Sequence, residues 1–200
     1  MFWSFNRSRD YSKIPDQNLT WEGPFSWPSF ESTNGLFSIP DVEGVYLFTF
    51  EYKNDYLIYS VGITNSTKKR IAQHSREYKK GNYTILNTGL AKKGQREEIW
   101  HGWNYAKNHK EEFIENKESI LKALQDQLGS FRVFIYQQKE KRIRERIEAS
   151  IMNYIYNCKE PWSDLADRGM FLRGRYNSEM PIKILNSSRV IYGLSRELEI

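Results

Sequence analysis

The sequence predicts a mixed α/β (α+β) domain: a small, three-stranded, mainly antiparallel sheet flanked by helices. Three observations carry that expectation. GVYLFTFEY and YLIYSVG are two β-branched and aromatic runs on either side of Lys53-Asn54-Asp55, whose turn chemistry makes them a hairpin. FRVFIY, at 131–136, is a short apolar run of strand length. From about Lys139 to Asn157 the isoleucines 143, 147, 151 and 155 recur every four residues, which is one buried stripe of a helix.

Residues 1–40 form an aromatic N-terminal extension. In WEGPFSWPSF the glycine and proline suit neither a helix nor a central strand. Trp21, Phe25, Trp27 and Phe30 are expected to cover an edge of the sheet or a helix, or to form part of an interface. The hairpin register has two solutions. A two-residue loop of Asn54-Asp55 pairs Lys53 with Tyr56 and puts Tyr46 and Tyr59 on one face; a three-residue loop puts them on opposite faces.

Asn65-Ser66 are N-cap residues for the helix TKKRIAQHSREYKK, where Arg70 and His74 are four apart and share a surface. A helical insertion follows at about 91–128. Within it Phe113, Leu121, Leu124 and Leu128 approximate a helical stripe, and Gly129 is expected at C′. The tail, 161–200, is loop-rich and ends in a short strand at RVIYG. The reading is a single domain over 1–200: a core at 41–160 between N- and C-terminal extensions.

Composition narrows the function. Lys and Arg outnumber Asp and Glu by 30 to 25, and the isoelectric point is near 9.1. The basic residues cluster at Lys68-Lys69-Arg70, Lys79-Lys80, Lys92-Lys93 and along 139–146, and such clusters neutralise phosphates. The single cysteine, Cys158, excludes a disulfide framework and a thiolate zinc cluster. His101 and His109 have no metal-binding partners at ligand spacing. MFWSFNRSRD lacks a signal-peptide core, and no apolar run approaches the ~20 residues that span a bilayer. The expected location is cytoplasmic.

Gly44-Val45-Tyr46, then Tyr59-Ser60-Val61-Gly62, then Arg70 and His74, and finally Glu148 follow one another in order. Taken singly, each has an ordinary explanation: core tyrosines, a surface arginine, a structural histidine, and a Glu148 paired with Arg144 four residues earlier. Together, with FSIPDVEGVYLF, YSVGIT, KKRIAQH and IEASIMNYI around them, they resemble the GIY-YIG nuclease superfamily over roughly residues 38–157. The chemistry is coherent. Phosphodiester hydrolysis needs an activated water, a counter-charge for the phosphate and help for the leaving alkoxide. A glutamate on a rigid helix is a hard oxygen ligand for Mg²⁺. The planar fork of an arginine matches phosphate oxygens, and a tyrosine or histidine can move the proton.

The resemblance implies that Tyr46 and Tyr59 line the active site, one of them acting on the attacking water. Arg70 would contact the scissile phosphate, His74 would support proton transfer, and Glu148 would hold Mg²⁺ or Mn²⁺. Similar enzymes place an asparagine a dozen or so residues after the glutamate. Here that region offers Glu160, with Asn157 earlier and Asp164 and Asp167 later. The serine in YSVG is a second departure, and it puts Tyr59 in question.

The expected activity is a metal-dependent endonuclease acting on double-stranded DNA, with a type II restriction enzyme favoured over repair or mobile-element nucleases. The alternative is a non-catalytic nucleic-acid-binding module of the same fold. Lys68, Lys69, Lys92, Lys93, Arg144, Asn157, Arg168, Arg173 and Arg175 are the candidate nucleic-acid contacts. A homodimer is expected, through the aromatics at 21–30 or the insertion.

Overall fold

The computed structural model describes residues 16–187 and 190–200. The first fifteen residues of the aromatic extension, and Arg189 of the expected last strand, lie outside the described residues. In chain order the elements begin with β1 (Asp16–Leu19), β2 (Glu22–Ser26), a single helical turn α1 (Glu31–Asn34), β3 (Gly44–Tyr52), β4 (Asp55–Thr64) and α2 (Thr67–Lys79). The middle region holds β5 (Ile85–Leu86), α3 (Thr88–Ala91), β6 (Glu98–Trp100), α4 (Trp103–Asn108), α5 (Lys110–Glu115) and α6 (Lys117–Ser130). Then come β7 (Arg132–Gln137), α7 (Lys141–Asn157), a 3-10 turn (Pro161–Leu165), β8 (Lys183–Asn186), β9 (Ile191–Tyr192) and β10 (Glu197–Glu199).

The mixed α/β class holds, but the main sheet has five strands in the order β2-β7-β3-β4-β9, not three. The three expected strands are its centre, and β3 is antiparallel to both β4 and β7. At one edge β2 pairs antiparallel with β7 through an irregular register, and Pro24, which has no N–H, is tolerated there. At the other, β9 runs parallel to β4, contacting Tyr56 and Leu57, so the sheet is mixed. β1, β8 and β10 form a second sheet that ties the N-terminal segment to the tail, and β5 pairs with β6.

The aromatics of 21–30 are therefore not exposed. Trp21 is 5% and Trp27 1% accessible. Trp27 meets Phe48 edge-on at 5.2 Å and Phe131 at 5.6 Å. Burying each such ring stabilises the fold by about 1.5–3 kcal/mol. The two tryptophans therefore belong to the core, while Phe25 and Phe30 are half-buried.

The hairpin loop is Lys53-Asn54, one position earlier than expected, so Tyr52 faces Asp55 and Phe50 faces Leu57. Lys53 takes the left-handed conformation, φ 55°. Between Phe48 and Thr49 the register shifts, leaving Tyr59 as the extra residue of a β-bulge. Loop parity is that of a two-residue turn, and Tyr46 and Tyr59 do share a face with Phe48 and Phe50. Helices α2 and α6 cover that face; α7 covers the other through Ile147, Ile151 and Ile155.

The long helix expected in the insertion is broken at Asn116 into α5 and α6, and the region also carries β6 and α4. Gly129 lies inside α6 rather than at C′. A side chain there would press the Phe30 ring, 3.0 Å away.

Candidate active site

Beyond Leu57 the outer edge of β4 has no strand neighbour among the described residues. There the two layers meet, and a cavity of about 340 Å³ opens beside Tyr59-Ser60-Val61-Gly62. Arg70 and His74 reach it from α2, and Glu148 from α7. Helix α2 is anchored at its start: the Ser66 hydroxyl accepts from the Lys69 amide and donates to Asp41 at 2.6 Å. One helical turn separates Arg70 from His74, which aims both at the same neighbour.

That neighbour is Tyr46. Its hydroxyl accepts from Arg70 Nε at 3.2 Å and lies 2.8 Å from His74 Nε2. Burial pushes the His74 imidazole down to about 3, and the Arg70 charge adds to it, so the ring is neutral at physiological pH. With Arg70 donating into the tyrosine oxygen, the Tyr46 hydrogen is free to point at His74 Nε2. The histidine is then an acceptor, protonated on Nδ1. Burial raises the Tyr46 phenol to about 12; Arg70 opposes that rise and Glu148 adds to it.

Glu148 has neither hydrogen bond nor ion pair among the described residues. The ordinary explanation offered for it fails, because Arg144 bonds instead to Glu43, Asn65 and the carbonyls of Thr64 and Gln138. Burial raises the Glu148 carboxyl to about 7, against the pull of Arg70. Arg70 spends Nε on Tyr46 and Nη1 on Gln73 (2.9 Å), which leaves Nη2 without a partner among the described residues.

Tyr59 lines the same cavity but answers to different neighbours. Its ring packs on Phe50 and Phe131, and burial and Asp167 raise its phenol well above the ordinary value. Asp167 was only an offset alternative to the asparagine in the sequence. It is 8% accessible and lines the cavity. Its amide donates to the Tyr59 carbonyl at 2.7 Å, its carboxylate accepts from Trp103 Nε1 at 3.4 Å, and burial raises it to about 6. Tyr83 and Trp103 also line the cavity and had no signal in the sequence beyond being aromatic.

Asn157 does not reach the site: it is exposed and donates to the Asn153 carbonyl one turn back. Arg144, 2% accessible and held through both terminal nitrogens by structural partners, is corrected from a nucleic-acid contact to a brace between α7 and the end of β4. Lys68, Lys69, Lys92 and Lys93 are exposed on α2 and just after α3. Arg168 pairs with Asp164 at 3.0 Å, Arg173 with Glu145 at 3.4 Å, and Arg175 with Glu199 at 3.4 Å.

No group of three or more His, Cys, Asp or Glu side chains is placed to hold a metal among the described residues. The half-buried Glu148 carboxylate, free of protein partners among the described residues and facing a cavity that Asp167 also lines, fits a Mg²⁺ that would complete its shell with water and substrate oxygens. No helix among the described residues is long and apolar enough to cross a membrane. No protein-family model, curated protein or solved structure matches the chain.

Proposed function

We propose that the chain is a metal-dependent endonuclease of the GIY-YIG type that hydrolyses phosphodiester bonds in DNA. One observation carries the reading: Tyr46 is hydrogen-bonded to both Arg70 and His74 in a cavity that Glu148 also lines. Tyr46 and His74 also pack in the core, but the half-buried Glu148 carboxylate costs stability where it stands and packing gives it no purpose.

In this reading the partnerless Nη2 of Arg70 takes a phosphate oxygen of the scissile group. An attacking water gives its proton to the Tyr46 oxygen as the Tyr46 proton passes to neutral His74. The water oxygen forms the new bond to phosphorus, and the ester oxygen leaves with its bonding pair and is protonated by solvent. Glu148 would hold Mg²⁺ or Mn²⁺, which supplies positive charge for the phosphate and the leaving oxygen.

Supercoiled plasmid incubated with the purified protein tests this, with Mg²⁺, with a chelator, and with Glu148→Gln. Mg²⁺-dependent nicking or linearisation, absent in the variant, supports an endonuclease. A salt-sensitive mobility shift without cleavage selects the non-catalytic binding module instead. A type II restriction enzyme acting as a homodimer on duplex DNA remains the particular form proposed, since one chain carries one such site and two strands need two. With Trp21 and Trp27 in the core, the insertion is the surface proposed for its contact, and Ile114 is exposed there on α5.

A further inference from the structure

The described residues include one exposed tryptophan, Trp103, and it lines the cavity beside the catalytic groups. Trp21, Trp27 and Trp100 are buried. Trp103 opens α4 with φ 58°, a left-handed conformation that a bulky side chain adopts only where its surroundings impose it. Two contacts impose it. The Trp103 amide donates to the Asn82 carbonyl at 2.8 Å, and the indole Nε1 donates to Asp167. The preceding Gly102 is pressed against the Tyr83-Thr84 backbone, where a Cβ would meet atoms at 2.4 Å. The chain thus holds a strained indole 37% exposed at a cavity rim instead of folding it into the core.

The indole is not isolated. Its ring lies 5.2 Å from that of Tyr83, and the Tyr83 ring lies 5.4 Å from His74. An aromatic wall therefore runs from the rim to the Tyr46–His74 pair. From the tail, Phe171 lines the same cavity, 84% exposed, with the Arg173 guanidinium over its ring at 5.6 Å.

We infer that the Trp103–Tyr83 wall is a subsite for one unpaired nucleobase, stacked there while the adjoining phosphate sits at Arg70. The chemistry favours a base: aromatic faces lining the same cavity as a guanidinium that has a nitrogen to spare match the two halves of a nucleotide. Inside a duplex both faces of a base are covered by its neighbours, so the platform can be used only by a base that is single-stranded or turned out of the stack. In duplex DNA the subsite is accordingly used when the base beside the bond to be cut is turned out of the stack, and a single strand offers such a base directly. The position of the phosphate rests on the endonuclease reading; the binding of the base does not.

The test uses the Glu148→Gln chain in chelator, so that nothing is cleaved. Binding of fluorescein-labelled oligothymidylate and of an abasic strand of equal length is followed by anisotropy. The thymidylate should bind roughly tenfold more tightly. Trp103→Gly should abolish that preference while keeping a cooperative melt, since relief of the left-handed φ offsets part of the lost Asp167 bond and Tyr83 contact, and Trp103→Phe should retain most of the preference. Equal affinity for the two strands, or an undiminished preference in Trp103→Gly, overturns the subsite. A Trp103-dependent preference without plasmid cleavage would sink the endonuclease reading and leave the subsite standing. Mg²⁺-dependent cleavage with no base preference would do the reverse.

Discussion

The phenol of Tyr46 lies across Gly62, and a Cβ built on that glycine would stand 2.2 Å from the Tyr46 oxygen. The two residues are directly paired in the β3–β4 ladder. The missing side chain on β4 is therefore the space in which the phenol reaches Arg70 and His74. Both motifs, GVY and YSVG, are thus halves of one contact, and the glycine matters for what it leaves empty.

Gly62→Ala should displace the Tyr46 ring. We expect a loss of about 1–3 kcal/mol in stability, as for other overpacked sites, together with loss of plasmid cleavage. Tyr46→Phe keeps the ring and removes only the hydroxyl, so it should stay folded while turnover falls about 10²–10⁴-fold. Thermal melts and single-turnover cleavage of the two variants check this pair. A Gly62→Ala chain with native melting and native rates would show that the contact is unimportant.

Glu148 links the site to pH. Its folded value is raised from 4.5 to about 7, so between those pH values the folded chain holds a proton that the unfolded chain has lost. Stability from this group is therefore lost as pH rises through that window, and the whole penalty is present above about pH 7. Glu148→Gln should match the wild type below pH 4.5. Above pH 7 it should be more stable, by about 3–4 kcal/mol at ~1.4 kcal/mol per unit. Denaturant melts of both chains across pH measure the gap; a pH-independent gap would mean that the carboxyl is not raised.

Much of the architecture was legible where periodicity was strong. The hairpin, α2, β7 and α7 fall within two residues of the sequence-based expectation, because each couples a clear period to capping or turn residues. The sheet edges were legible only in part. β2 contains Gly23-Pro24, which reads as irregular; β9 falls within the expected RVIYG strand, but its two-residue pairing with β4 leaves no sequence signal that it joins the main sheet. Of the site, Tyr46, Arg70, His74 and Glu148 were legible and do line one cavity. Asp167 and Trp103 were not, because they meet across sixty-four residues and nothing local records that approach. Arg144 misled for a related reason: a charge on a helix reads the same whether solvent or Glu43 receives it.

Arg70 acts on two partners, and removing it should show both effects. Arg70→Ala loses the charge facing the phosphate, so cleavage should drop about 10²–10³-fold with little change in overall DNA affinity. It also removes the charge that restrains Glu148, whose pKa should rise further. The pH at which residual cleavage reaches half its plateau should then move upward. Affinity that collapses while cleavage at saturating protein stays normal would make Arg70 a binding residue only.

The basic residues divide into braces and contacts, and salt dependence separates the two. Lys68 and Lys69 are exposed on the first turn of α2, the helix that carries Arg70. If they meet phosphates, each replaced by alanine should weaken binding and lower the slope of log affinity against log salt by about one. Arg144 should behave in the opposite way. Its guanidinium holds Glu43 at 3.1 Å, Asn65 at 2.6 Å and two backbone carbonyls. Arg144→Ala removes a buried guanidinium and its bonds to partly exposed acceptors that water can reach, which costs about 1–2 kcal/mol, and the salt slope should be unchanged. Equilibrium melts and anisotropy titrations over a range of salt measure both quantities. A lowered slope in Arg144→Ala with native stability would place Arg144 back among the DNA contacts and remove it from the frame that positions Glu148.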